Sequence, residues 1–355
     1  MIIKDFKYFP FSLQLKIPFQ SSTQIITQKN GFIISLIDEL GNQSFGEASP
    51  LSGFSRETNN DLIQNLSEIK SRFDNLFLLD VLSTINDQLS TFELLPSVRF
   101  SLEQAILSLM IKKNRNFVNQ FVGILKSVIN VNAVFGFDDN RNIISAIDRK
   151  IEAGFNTIKI KVGRDDFEND FELIKEVREK FGRKINIRLD VNGIWELGKA
   201  KKYLERLSLF NIQYIEEPCS NLNDLIKLAE VSQIPIAIDE SLESLDFALE
   251  IINNSKIEII IMKPMVLGGL FSSFRIIKEA EKKNKKVIIS SSFESAIGKS
   301  GLVLLAATTN HNFAHGLDTS EFFEKDICFD PFTVKDGKIY LASDNYPPQF
   351  NLNFI

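Results

Sequence analysis

The sequence predicts an α/β fold: a (β/α)8-type barrel with a smaller α+β capping domain formed by the N-terminal part and the C-terminal tail. From about residue 128, short β-rich runs alternate with longer amphipathic segments. Near-continuous apolar strands separated by helical segments mark a parallel sheet covered on both faces. Several of these runs also close on charged residues at nearly even spacing: Asp190, Glu216, Asp239 and Lys263 follow one another by 26, 23 and 24 residues. That step suits one strand plus one crossover helix, so the charges share one end of the sheet. The runs lack a dinucleotide-type glycine loop after the first, which favours a closed barrel over an open doubly wound sheet.

The expected barrel strands are 127–135, 156–162, 185–191, 212–217, 234–239, 256–262 and 286–292, with an eighth near 312–318. Before them, alternating stretches at 12–17 and 31–37 suggest antiparallel strands, and 56–90 carries helical spacing. After Asp318 no further βα pair occurs, and the strand-like run at 339–343 is expected to return to the first domain. The predicted division is a capping domain over 1–95, a barrel over 96–318 and a returning tail over 319–355.

With 355 residues and a net charge of −5, the chain has the composition of an ordinary globular protein. The absence of a strongly basic segment argues against nucleic acid as a partner. Lys282, Lys283, Lys285 and Lys286 form the most basic run, expected to be a solvated helix end. Cys219 and Cys328 are too few and too far apart for a disulfide framework or a zinc site. The N-terminal run lacks the pattern of a signal peptide, and no stretch approaches the ~18 apolar residues of a membrane span. A cytoplasmic location and no membrane partner are the expectations.

At the C-terminal end of a barrel, where active sites are built, three acids and a lysine form a site candidate. Asp190, Glu216 and Asp239 would end adjacent strands about 4.8 Å apart, so their carboxylates can converge. Clustered anions are unfavourable without a cation, and an all-oxygen donor set suits Mg2+ better than Zn2+. A single such acid could be only a helix cap; three at this period point to a metal. Lys159 and Lys161 are two apart on one strand and share a face, while Ile158, Ile160 and Val162 take the other. If the apolar face packs on helices, both ammonium groups enter the barrel, and Lys263 faces Lys161 across its mouth. A cation-flanked, partly buried lysine has a lowered pKa and can work as a base near neutral pH. His311 and His315 are the only histidines. They leave little for a Ser-His-Asp or multi-His centre and are expected to be structural.

These residues, with GEASPLSGFSRE (46–57), PSVRFSLE (96–103), KIKVG (159–163), DVNGIW (190–195), EEPC (216–219), DES (239–241), KPMVLGG (263–269) and SSSFESAIG (290–298), give the chain a resemblance to a known family. It resembles the enolase superfamily, in its muconate-lactonizing-enzyme-like subgroup, and within that the o-succinylbenzoate synthase family. The resemblance implies Mg2+-dependent dehydration of 2-succinyl-6-hydroxy-2,4-cyclohexadiene-1-carboxylate, a small carboxylate substrate, in menaquinone biosynthesis. It implies Asp190, Glu216 and Asp239 as ligands of Mg2+, for which Mn2+ can substitute, holding the substrate carboxylate as an enediolate forms. By the same resemblance Lys161 is the acid/base, Lys263 stabilises the intermediate from the other face and Lys159 supports Lys161. Asn192 lies behind the ligands, Ser290, Ser291 and Ser292 line the succinyl side, and the loops 16–22 and 46–54 close over the mouth. Two other readings remain open: an N-acylamino acid racemase or dipeptide epimerase of the same superfamily, and a barrel that has become a scaffold. The first would use Lys161 and Lys263 as opposed bases, although the last strand has no Asp-x-Asp pair to hold an amino group. The second need not keep all three acids and all three lysines, as this chain does.

Overall fold

The computed structural model describes residues 1–20, 25–73, 76–79, 81–114, 123, 125–342 and 346–352. Three antiparallel strands, β1 (Ile3–Gln20), β2 (Ile25–Asp38) and β3 (Gln43–Ala48), open the chain in the order β1-β2-β3. Helices α1 (Asn59–Phe73), α2 (Leu82–Ser90) and α3 (Pro96–Lys113) follow. α1 shows one apolar stripe, with Leu62, Leu66, Ile69 and Phe73 buried. α3 differs: it has no single apolar stripe and is buried nearly throughout, Ser97, Ser101, Glu103 and Gln104 included, as a helix packed on both sides must be. It lies so close to β3 that a Cβ on Gly46 would stand 1.9 Å from the Ser101 carbonyl oxygen, so only glycine fits there.

Seven parallel strands then wind in sequence order: β5 (Ala133–Phe135), β6 (Thr157–Lys161), β7 (Asn186–Asp190), β8 (Ile212–Glu216), β9 (Ile236–Ile238), β10 (Ile259–Met262) and β11 (Lys286–Ile289). Asp139, Asp166, Asn221, Ser244 and Ser295 cap the helices Asn140–Glu152, Phe167–Phe181, Leu222–Val231, Leu245–Asn254 and Ala296–Thr308 by accepting first-turn N–H bonds. The expected eighth strand is reduced to a joint. His315 bridges Val131 and Gly316 bridges Ser290, both in parallel sense, and this closes the sheet on itself. Inside the barrel, Tyr214, Ala237, Ile259, Ile261 and Ile288 pack into a small floor.

Two expectations need correction. The run 127–135 is two strands, not one: β4 (Val128–Asn130) turns away, and only β5 joins the barrel. The tail strand β12 (Lys338–Tyr340) pairs with β4 rather than with the first sheet; Ser343, at the end of the expected run, lies outside the described residues. The tail still reaches the capping sheet earlier, where Phe323 bridges Leu15 and the Glu324 N–H donates to the Gln14 carbonyl at 2.9 Å. A second apolar cluster, including Phe11, Leu13, Ile33, Leu51, Phe293, Ile297 and Phe323, welds the other face of that sheet to the barrel's upper loops. Among the described residues no helix is long and apolar enough to cross a membrane.

Candidate active site

The strand register brings the predicted residues together. Lys161 pairs with Asp190, Asp190 with Glu216, and Glu216 with Ala237, so Asp190 and Glu216 stand at one level of the rim and Asp239 follows two residues beyond it. Ile158, Ile160 and Val162 are buried outward, which turns Lys159 and Lys161 inward. Lys159 Nζ lies 2.9 Å from Asp190 Oδ2 and 3.0 Å from Glu216 Oε1. Lys263, just before Pro264, pairs with both oxygens of Asp239 and stands 4.3 Å above the Phe54 ring. Lys161 makes no ion pair among the described residues; its ammonium sits 5.5 Å over the Phe137 ring. All six residues line one cavity of about 140 Å³ at the barrel mouth.

The three ammonium groups are not alike. Burial lowers the Lys161 pKa, and the neighbouring Lys159 charge lowers it further, against Asp190 and Glu240. Burial would lower the other two as well, but the acids outweigh it: Asp190, Glu216 and Asp239 hold Lys159 well above the usual range, and Asp239, Glu240 and Glu216 hold Lys263 up. Glu216 is itself pushed well up, by burial first and by Asp190 and Asp239.

The donor set fits a hard cation. Among the described residues, the buried oxygens Asp190 Oδ1 and Glu216 Oε2 find no hydrogen-bond partner, nor do Asn192 Oδ1 and Glu240 Oε2 nearby. Unsatisfied buried acceptors are costly, and oxygen-only donors are what Mg2+ takes. Among the described residues no three acids are already gathered tightly enough to grip an ion. The Lys159 and Lys263 ammoniums stand between them and neutralise them instead.

Asn192 lines the cavity and donates to Glu240 Oε1 at 2.6 Å. Ser290 and Ser291 line the far wall, with Ser291 Oγ donating to Glu294 Oε2 at 2.5 Å and lying 2.8 Å from Thr319 Oγ1. Ser292 is a correction: it is fully buried and does not line the cavity. Of the expected lid loops, 46–54 contributes Leu51 and Phe54 to the lining. In the other, Lys16 donates to the Glu321 carbonyl at 2.9 Å, while residues 21 and 22 lie outside the described residues. Neither His311 nor His315 lines the cavity: His315 Nδ1 accepts the Ile289 N–H at 3.0 Å, and burial pushes the His311 pKa down to about 4.

Sequence reading gives Glu217, Glu240 and Asp318 no role of their own, and the structure brings all three to the rim. Glu217 adopts a left-handed backbone (φ 42°) and is buried. Its carboxylate accepts the Asp239 N–H at 2.7 Å and the Ser241 N–H at 3.1 Å, and its carbonyl accepts the Gly193 N–H at 2.6 Å. One residue thus ties the loops after β7, β8 and β9. The doubled acid of EEP was the available signal. Asp318, at the end of the eighth segment, lines the cavity and is paired with Lys150 at 2.7 Å.

A parallel barrel whose C-terminal rim carries three inward lysines and three acids, capped by an antiparallel domain, defines a class of enzyme. The chain belongs to the enolase superfamily: residues 142–345 match the family of enolase C-terminal domain-like proteins, and residues 3–109 match the MenC N-terminal domain. Among its relatives are the chloroplastic protein PHYLLO of Arabidopsis thaliana (27% identical over 84% of this chain) and an o-succinylbenzoate synthase of Thermobifida fusca (31% over 52%). The chain spans 20% and 58% of their lengths. An L-Ala-D/L-Glu epimerase of Francisella tularensis subsp. novicida is 25% identical over 97% of both chains. The crystal structure of a dipeptide epimerase from Enterococcus faecalis, complexed with Mg and L-Leu-L-Tyr, superposes with a TM-score of 0.87 at 23% identity, over 96% of this chain and 98% of that one.

Proposed function

We propose that the chain is an o-succinylbenzoate synthase, dehydrating 2-succinyl-6-hydroxy-2,4-cyclohexadiene-1-carboxylate to 2-succinylbenzoate in menaquinone biosynthesis, in the cytoplasm. The reaction removes a proton alpha to a carboxylate and a hydroxyl from the ring, releasing water and leaving an aromatic product. In this reading Asp190, Glu216 and Asp239 hold Mg2+, which when bound supplies positive charge to the substrate carboxylate as that group becomes more electron-rich. Lys161, the lysine with the lowered pKa, takes the alpha proton as a neutral amine and then gives it to the departing hydroxyl, so one group serves both transfers. Lys263 faces the other side of the ring and offsets the developing negative charge. Lys159 stays protonated between Asp190 and Glu216 and keeps Lys161 from gaining a proton too readily. Phe54 and Leu51 cover the mouth and exclude water.

The observation that favours the synthase over a dipeptide epimerase is Asp318. A dipeptide carries an ammonium group that needs a free acid near the end of the eighth segment. Asp318 is the acid there, but its carboxylate is engaged by Lys150, and the residue two further on is Ser320. The racemase of N-acylamino acids, whose substrates lack that ammonium, remains the second reading, and the epimerase among the relatives keeps it in view. Spectrophotometric turnover of the cyclohexadiene substrate, with and without Mg2+, tests the proposal. Mg2+-dependent aromatisation is the expected result, and no turnover in metal-replete protein would refute it.

A further inference from the structure

Lys29 sits on β2 in the segment TQKNG, where strand alternation alone suggests a solvent-facing lysine. It is only 2% exposed. Its ammonium donates to three carbonyls: Ser49 at 2.7 Å, Pro50 at 3.1 Å and Ser292 at 2.8 Å. Three donors meet three acceptors, the full capacity of a charged lysine; a neutral amine would leave one carbonyl facing a lone pair. The first two carbonyls belong to the loop that carries Leu51 and Phe54 over the cavity, and the third to the loop that carries Ser290, Ser291 and Phe293 on the opposite wall. One side chain therefore joins the hairpin, the capping loop and the barrel loop at the cavity's distal side.

We propose that Lys29 is a positioning residue that fixes the spacing between the 49–54 loop and the 290–293 loop, and with it the fit of the substrate's distal arm. The carboxylates facing Lys29 come from three elements: Glu47 on β3, Glu57 ahead of α1, and Glu294 after β11. Among the described residues none of them is hydrogen-bonded to it. Burial pushes the Lys29 pKa down to about 8, against the pull of those three acids. A residue kept only for stability gains little from holding a buried charge on backbone carbonyls, since an apolar side chain of similar volume serves packing as well. Holding two loops that share no sequence neighbourhood is what the charge accomplishes here.

The test uses the full chain and 2-succinylbenzoate as the probe ligand. In Lys29→Met, the Kd for this ligand and the KM should rise roughly tenfold or more while kcat stays within about threefold, because the walls move and the lysines and acids do not. Lys29→Arg, which keeps charge and donors, should recover part of the loss. A folded Lys29→Met with wild-type Kd and KM would overturn the proposal. If Lys29→Met does not fold, hydrogen exchange on the wild-type protein decides. Corrected for intrinsic rates, residues 49–54 and 290–293 should lose protection between pH 7 and pH 9.5 while β6 and β7 keep theirs; unchanged protection in both loops would refute it. The ligand is chosen on the synthase reading. Wild-type protein that fails to bind it would count against that reading, and the exchange experiment would then judge Lys29 independently.

Discussion

Glu47 of the GEASP segment offers a stability prediction that can be worked from its contacts. It is fully buried, 248 residues from its main partner, and its carboxylate sits on the N-terminus of helix Ala296–Thr308. Oε2 accepts the Ser295 N–H at 3.0 Å, the Ser295 hydroxyl at 2.5 Å and the Gly298 N–H at 2.9 Å; Oε1 accepts the Ser49 hydroxyl at 2.6 Å. In Glu47→Gln the amide oxygen can keep facing the helix, and the Ser49 hydroxyl can rotate to accept from the new amide group. What is lost is the charge. Hydrogen bonds to a charged acceptor contribute ~1.5–3 kcal/mol and neutral ones ~0.5–1.5, so three such bonds weaken by about 1 kcal/mol each. The interaction of the anion with the helix terminus adds ~0.3–1 kcal/mol. The expected loss is therefore about 3–4 kcal/mol, read as a lowered urea midpoint with unchanged m-value by circular dichroism. A loss below ~1 kcal/mol would refute the reasoning, because it would mean the helix N-terminus does not depend on this anion.

Chelation should abolish turnover and Mg2+ should restore it, and Asp239→Asn should weaken Mg2+ binding measured by calorimetry; full activity in demetallated protein or in that variant would contradict the ligand assignment. Lys161→Ala should still bind 2-succinylbenzoate yet lose about 10²–10⁴ in kcat, and retention of a tenth of wild-type turnover would disprove its role. As a base Lys161 must be neutral, so wild-type kcat/KM should rise with pH through an inflection below the ordinary lysine value of 10.5, where burial holds it. The carboxyl of Glu103, buried against the helix Leu270–Lys282, is pushed from 4.5 up to about 7 chiefly by that burial. The native state keeps this proton longer than the unfolded chain does, so stability should fall as pH rises from about 4.5 to about 7 and level off above. Against Glu103→Gln, wild type should lose on the order of 2–3 kcal/mol between pH 5 and pH 8, and a pH-independent difference would contradict the shift.

The parts of the site that were legible in the sequence follow from strand periodicity. Lys159 and Lys161 share a face because side chains alternate, and Asp190, Glu216 and Asp239 share an end because each closes a strand of one parallel sheet. The errors arise where that periodicity stops. In SVINVNAVF the alternation is already irregular, and the chain enters the barrel only at Val131 and Asn132, where nothing local marks the change of partner from β12 to β6. Ser292 was an expectation of the resemblance; the strand expected to reach residue 292 ends at Ile289, and beyond it Phe293 takes a left-handed turn (φ 63°). Lys29, Glu47 and Glu294 were illegible as a group because they meet only in three dimensions, and a lone charged residue on a strand reads as solvent-facing. Glu217 had no role in the sequence for another reason: its carboxylate and carbonyl accept N–H groups from neighbouring loops, contacts that strand periodicity does not announce.

The central claim is that the site uses one lysine for both proton transfers in a dehydration. A racemase must return the proton to the face opposite the one it deprotonates, which requires both Lys161 and Lys263 to exchange with the substrate. The direct test compares kcat/KM for the cyclohexadiene substrate with kcat/KM for deuterium exchange and inversion of N-succinylamino acids in D2O, in the same Mg2+-loaded preparation. The account predicts efficient aromatisation with slow or absent inversion. Inversion with the larger kcat/KM would contradict it and assign the chain to the racemases.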